Sequence, residues 1–144
     1  MLRKARPGDC QAIFSINNDA DEHAAYFHLP PRHIGILDHI LWFRKRVEKP
    51  CFLVLADRRD SAVAYLRLDE KPEGKRLSIA IAREYQDQGI GSTLLRIVNR
   101  RTRDIGAWVW KENKPSLKAF RRAGWDEEKR KTGSLFHSTG YGII

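Results

Sequence analysis

Residues 77–82 put Leu77, Ile79 and Ile81 on one face of an extended chain and Ser78, Ala80 and Ala82 on the other, the period of a strand. From Ile90 the period changes: Ile90, Leu94, Ile97 and Val98 fall at i, i+4, i+7 and i+8, the period of a helix with one buried face. The hexapeptide Gln86-Asp87-Gln88-Gly89-Ile90-Gly91 bridges the change. A strand that passes into a helix through a Gly-x-Gly turn leaves the first N–H groups of the helix bare, at the positive end of its dipole. Glycine costs conformational entropy, so two of them here indicate unusual backbone angles or a ligand that comes close to the main chain.

The remaining elements follow from the same two periods. Residues 2–6 read as a short strand stopped by Pro7-Gly8-Asp9, with Asp9 placed to cap a helix that turns Ile13, Phe14 and Ile16 inward. Residues 17–32 are polar and read as a loop with one helical turn at most. Ile34, Leu37, Ile40, Leu41 and Phe43 then predict a second helix ending near Val47, before Pro50. Residues 51–56 are a wholly apolar strand, 62–68 its hairpin partner across Asp57-Arg58-Arg59-Asp60, and Pro72 and Gly74 mark the turn into the strand at 76–82. After the helix at 90–101 come a strand at 105–110, a helix at 113–123 with Pro115 in its first turn and Gly124 at its end, and strands near 125–131 and 134–141. The order is β-α-α-β-β-β-α-β-α-β-β, a mixed α/β fold whose central, mostly antiparallel sheet of about seven strands is flanked by about four helices. No repeat or linker interrupts it, and residues 1–144 are expected to form one domain.

A chain of 144 residues can bury roughly two-thirds of its unfolded surface, and 42% apolar content suits a packed core. The formal charge of +9 points to an anionic partner: nucleic acid, a membrane surface or a phosphorylated small molecule. No apolar run reaches the roughly 20 residues of a membrane span, and the basic N-terminus lacks the apolar segment of a secretory signal. Cys10 and Cys51 stand far apart, without metal spacing, and are expected as reduced thiols in a cytoplasmic protein. The spacing of His23, His28, His33 and His137 puts no ligand set on one helix face, so no metal is expected. A dinucleotide fold would need Gly-x-Gly-x-x-Gly and a phosphate-loop enzyme Gly-Lys-Ser/Thr; neither is present. A nucleic-acid module could use Arg96, Arg100, Arg101, Arg103 and Lys129-Arg130-Lys131, but solvated faces account for these charges and no aromatic ladder, helix-turn-helix or zinc pattern accompanies them.

Gln86-x-x-Gly89-x-Gly91 resembles the acetyl-CoA motif of the GNAT N-acetyltransferase superfamily, Gln/Arg-x-x-Gly-x-Gly/Ala at the end of the fourth strand. Asn113-x-x-Ser116-x-x-x-Phe120-x-x-x-Gly124-Trp125 is similar to the later Asn-to-Gly-aromatic motif of that family, in the same order and spacing. The resemblance implies acetyl-CoA as co-substrate. Its pyrophosphate would meet the N–H groups around Gln86, Asp87, Gln88, Gly89, Ile90, Gly91 and Ser92, its pantetheine arm the backbone of Ala80, Ile81 and Ala82, and its far side Asn113, Ser116 and Phe120. It also implies direct attack of a neutral primary amine on the thioester, with a base or water chain to take the amine proton. Many relatives protonate the departing thiolate with a tyrosine where this chain has Phe120, leaving Tyr141 or solvent as donor. Lys75-Arg76 stand near the family's usual glutamate; Glu73 and Asp69 lie close by, and no residue is assigned as catalytic base.

His39-Ile40-Leu41-Trp42-Phe43 and the strand ending in Tyr65-Leu66-Arg67-Leu68-Asp69 resemble the branch that acetylates nucleotide-linked amino sugars. His39, Trp42, Phe43 and Arg67 are then the candidate acceptor residues, the aromatics for stacking and Arg67 for a phosphate. An anionic small-molecule amine is the expected acceptor, with a peptide or protein amine as the alternative. The same resemblance implies a homodimer and neither a nucleic-acid nor a membrane partner.

Overall fold

The computed structural model describes residues 1–26, 35–49 and 51–140, with the backbone alone over 19–26. Its elements run β1 (Leu2–Lys4), α1 (Cys10–Tyr26), α2 (Ile36–Arg46), β2 (Phe52–Ala56), β3 (Ala62–Lys71), β4 (Gly74–Ile81), α3 (Ile90–Arg101), β5 (Arg103–Trp110), α4 (Lys114–Arg122), β6 (Asp126–Lys129) and β7 (Gly133–Thr139). The seven strands form one sheet in the order β1-β2-β3-β4-β5-β7-β6. β4 and β5 pair in parallel, at Arg76 and Gly106, while β1–β2, β2–β3, β5–β7 and β6–β7 are antiparallel. The mixed α/β expectation and its element order are therefore what the chain adopts.

The chain resolves into two compact units, Met1–Arg67 with Ile79–Tyr85, and Leu68–Ser78 with Gln86–Ile144. In the first, Ala5, Ile13, Ile16, Phe43, Val47, Phe52, Val54, Ala62 and Tyr65 form the core, with Trp42, Ala80 and Ala82 packed against it. Arg3 ties β1 to its surroundings: its guanidinium donates to both Asp9 carboxylate oxygens (2.8 and 2.9 Å) and to Asp60 Oδ1 (2.9 Å), and Arg6 also pairs with Asp60. Asp9 does not cap the long helix as its position suggests. It closes a single 3-10 turn at Pro7–Asp9, where its Oδ2 accepts from the Arg6 N–H at 2.7 Å. Burial alone would raise the Asp9 pKa, but the Arg3 guanidinium and the Arg6 N–H together hold the carboxyl below its ordinary value.

Two helices of the first unit differ from the sequence reading. α1 continues to Tyr26, so part of the expected loop at 17–32 is helical. α2 buries His39 and Phe43, with Val47 buried at its C-cap, while Ile36, Leu37 and Leu41 stay exposed at 49, 73 and 58%. Hydropathy placed the leucines inward. A histidine takes that face because its Nε2 lies 2.9 Å from the Cys10 carbonyl, which satisfies the buried ring nitrogen facing it.

In the second unit the expected buried face of α3 is also rotated. Leu94, Leu95 and Asn99 are buried, whereas Ile97 is 36% exposed. Asn99 is fully buried: Nδ2 donates to the Ala123 and Gly124 carbonyls (3.3 and 3.4 Å) and Oδ1 accepts from the Thr139 N–H (2.7 Å). α4 ends as the glycine implies. Gly124 is left-handed (φ 85°), its N–H bonds the Arg121 carbonyl, the Trp125 N–H bonds the Phe120 carbonyl, and the Trp125 and Phe120 rings meet edge-on at 5.1 Å.

Glu127, beside this helix end, accepts two parallel bonds from Arg121 (2.7 and 2.8 Å) and one from the Ser134 hydroxyl (2.6 Å). Arg121 first, then Ser134, lower its pKa from 4.5 to about 2. The unfolded chain then binds the proton more readily, so this stabilisation is present above about pH 4.5 and is lost as pH falls toward 2. Glu127→Gln should shrink the stability difference between pH 6 and pH 3, measured by urea unfolding at both; an unchanged difference would remove Glu127 from the acid response.

Candidate functional site

The loop at 86–91 has the backbone that its glycines suggested. Asp87 and Gly89 are both left-handed (φ 60° and 79°), and Gly89 is the N-cap of α3 with ψ 3°. The first helical bond runs from the Thr93 N–H to the Gly89 carbonyl at 3.1 Å. Ile90, Gly91 and Ser92 therefore precede the first residue whose N–H finds a carbonyl inside the helix. The N-cap glycine offers no capping side chain of its own, and no acidic residue stands in the first turn. A Cβ added at Gly89 would meet nothing within 4 Å, so it is the left-handed backbone and not crowding that calls for glycine there. α4 supplies the contrast within the same unit, because Asn113 Oδ1 accepts from the Ser116 N–H at 3.3 Å and caps that helix. An anion at the α3 terminus would satisfy several donors at once and meet the dipole's positive end.

Asn113 and Ser116 are thus joined as cap and capped residue at the start of α4. Phe120, where many relatives carry a proton-donating tyrosine, is 3% exposed and stacks on Phe136 at 4.8 Å. That position is a core residue here. Tyr141, the other donor considered, lies outside the described residues. Glu73 is exposed and pairs with Arg76 at 3.6 Å, and Asp69 is half-buried.

The remaining candidates lie in the first unit. Ala80, Ile81 and Ala82 are half-buried at the end of β4; the Ala82 N–H donates to the Val63 carbonyl (2.8 Å) and its carbonyl accepts from the Tyr85 N–H (2.9 Å). His39 is wholly buried and Phe43 is 2% exposed, both in aromatic contact with each other and, through Phe43, with Phe52. Trp42 is half-buried, and the guanidiniums of Arg46 and Arg67 each lie 4.9 Å from its ring centroid. The Arg46 partner, at i+4 on the same helix, was not anticipated, although its spacing was visible. His23, His28 and His33 have no described side chains, and no group of three or more metal-ligating side chains occurs among the described residues. Cys10 and Cys51 are free thiols, and burial raises the Cys10 pKa. No described helix is long and apolar enough to cross a membrane.

Residues 10–125 match the model of the acetyltransferase (GNAT) family. The chain belongs to this family. It is accordingly an acetyl-CoA-dependent acetyltransferase acting on amines. A search of curated proteins finds no match. Among solved structures, a GNAT-family acetyltransferase from Bacillus anthracis is similar with a TM-score of 0.74 at 14% identity, over 94% of this chain and 90% of that one. A phosphinothricin acetyltransferase from Sinorhizobium meliloti, in complex with AcCoA, is similar at 0.73 and 18% over 95% and 85%. A spermidine N-acetyltransferase from Vibrio cholerae, in complex with CoA and spermine, follows at 0.71 and 18% over 95% and 92%. At these identities the likeness is one of fold.

For this GNAT acetyltransferase the left-handed N-cap gives a sharp test. Gly89→Ala forces a β-carbon into the left-handed region, a strain of roughly 1 kcal/mol or more, without any clash. It should weaken acetyl-CoA binding about tenfold by calorimetry, while Gly89→Asn, better suited to that backbone, should lose less. Equal affinities for all three proteins would move the pyrophosphate site elsewhere.

Proposed function

We propose that this enzyme moves the acetyl group of acetyl-CoA directly to the primary amine of an anionic small molecule, with an amino-sugar nucleotide as the leading acceptor. The observation that carries the donor half is the uncapped, glycine-fronted start of α3, where the N–H groups of Ile90, Gly91 and Ser92 form a seat for the pyrophosphate. Substrate positioning and a thiolate leaving into a field of backbone dipoles supply catalysis that needs no tyrosine at Phe120.

The acceptor half rests on charge and on Trp42. Two guanidiniums over one indole make a cationic, partly desolvated surface of the kind that takes carboxylate or phosphate groups. The formal charge of +9 favours the same sign of ligand and works against a polycation such as spermidine. The S. meliloti relative is named for phosphinothricin, an amine that carries negative charge, which supports this reading.

Calorimetry with acetyl-CoA followed by a thiol-release screen tests the reading. Amino-sugar nucleotides should turn over, and polyamines and N-terminal peptides should not. Absence of acetyl-CoA binding would sink the enzymatic reading, and turnover of peptides or polyamines alone would replace the acceptor. Arg67→Gln should raise the acceptor KM about tenfold with little change in kcat, the pattern of a lost binding contact.

A further inference from the structure

The second unit carries an aromatic surface that the donor site does not use. Directly opposed residues of an antiparallel pair share a face, and β5 and β7 pair at Gly106–His137, Trp108–Leu135 and Trp110–Gly133. The alternate pair Ala107–Phe136 points the other way, where Phe136 stacks on Phe120 of α4. Trp108 and Trp110 therefore stand on the face of the strand pair away from α4. Their rings meet edge to face, 5.8 Å apart at 85°. Trp108 is half-buried and Trp110 is 41% exposed.

The strands are cut to fit these side chains. A Cβ on Gly133 would lie 2.8 Å from Trp108 Cζ2 and 2.3 Å from the Val109 carbonyl oxygen, so only glycine fits beneath the indole. At Gly106 a Cβ would stand in ordinary contact with Arg76, 3.5 Å from its Cδ and Nε, which places the Arg76 side chain over this position. The guanidinium-bearing chain thus lies next along the face from Trp108. A structural tryptophan in this unit behaves differently: Trp125 is 5% exposed and donates its indole N–H to the Leu95 carbonyl. Neither Trp108 nor Trp110 donates its indole N–H to a described residue. Such a surface, two aromatic planes with a cation alongside, suits an electron-rich planar ring joined to negative charge.

We propose that Trp110, braced by Trp108, stacks the base of a nucleotide, with Arg76 on the other side of Trp108 along the same face. The platform is argued from the second unit alone and does not rest on the function proposed above. A second copy of the chain suits the face less well, because a stable dimer buries about 800 Å² per partner. Here two indoles are bordered within a few residues by Arg76, Glu73, Asp126 and Glu128, the last paired with Arg130 at 3.1 Å.

The test titrates UDP and GDP into the full chain saturated with CoA, read by tryptophan fluorescence and calorimetry. At least one should bind and quench. Trp110→Ala should weaken that binding at least tenfold and Trp110→Phe less, with acetyl-CoA affinity and the melting temperature unchanged. The proposal is overturned if neither nucleotide binds, if Trp110→Ala binds as tightly, if CoA competes with the nucleotide, or if the substitution alters only self-association by sedimentation. Nucleotide binding without acetyl transfer to nucleotide-linked amines would count against the proposed acceptor and leave the platform standing.

Discussion

One buried amide fixes how the second unit presents the N-terminus of α3. Asn99 satisfies two carbonyls at the close of α4 and one N–H at the close of β7, so three segments meet on a single side chain. In a site that excludes water, each such bond would leave a costly orphan if its partner were lost. The consequence reaches the other end of the helix. With Asn99 and Leu95 held inward, the rotation of α3 is set, and with it the direction in which the bare N–H groups after Gly89 point. Trp125 reinforces the setting by donating to the Leu95 carbonyl.

The first unit uses the same device. His39 is the central side chain of α2, and because a carbonyl can only accept, its Nε2 must carry the hydrogen directed at the Cys10 oxygen. Its Nδ1 has no partner among the described residues, and the ring lies among aromatic rings, Phe14 at 5.0 Å and Trp42 at 5.5 Å between centroids. The ring therefore behaves as a flat core residue that fixes one bond, and Trp42 is held beside it with its guanidinium neighbours. A side chain expected at the acceptor instead positions one that is proposed to touch it.

This explains which parts of the fold were legible in the sequence. Where burial follows apolar periodicity, as in β2, β4 and the start of α1, the elements and their order could be read directly. Where a polar residue is the buried one, the reading gave the helix and the wrong face: hydropathy turned Leu37 and Leu41 of α2 and Ile97 of α3 inward, in place of His39 and Asn99. Hydrogen-bond partners distant in sequence decide those positions, and no local pattern contains them. Backbone-encoded features were the clearest of all. Gly89 and Gly124 both proved left-handed because each ends or begins a helix in a way only the main chain can accomplish cheaply. Trp108 and Trp110 were passed over, since alternate aromatics in a strand read as core until register and exposure separate them.

The Asn-to-Gly-aromatic motif can now be understood physically, and that bears on the missing acid. Asn113 starts α4 by capping Ser116, and Gly124 and Trp125 end it with paired backbone bonds and an edge contact to Phe120. Phe120 is thus both the last apolar anchor of the helix and a stacking partner of Phe136 on β7. A hydroxyl at that para position would have to find a partner within this aromatic cluster or bear the cost of burial without one. Retention of phenylalanine favours packing over proton donation at this position. The thiolate produced by transfer carries its own charge, and at neutral pH it can leave unprotonated if positive dipoles meet it. With the α3 terminus given to the pyrophosphate in the proposed donor site, that help must come from backbone and solvent at the far end of the pantetheine arm.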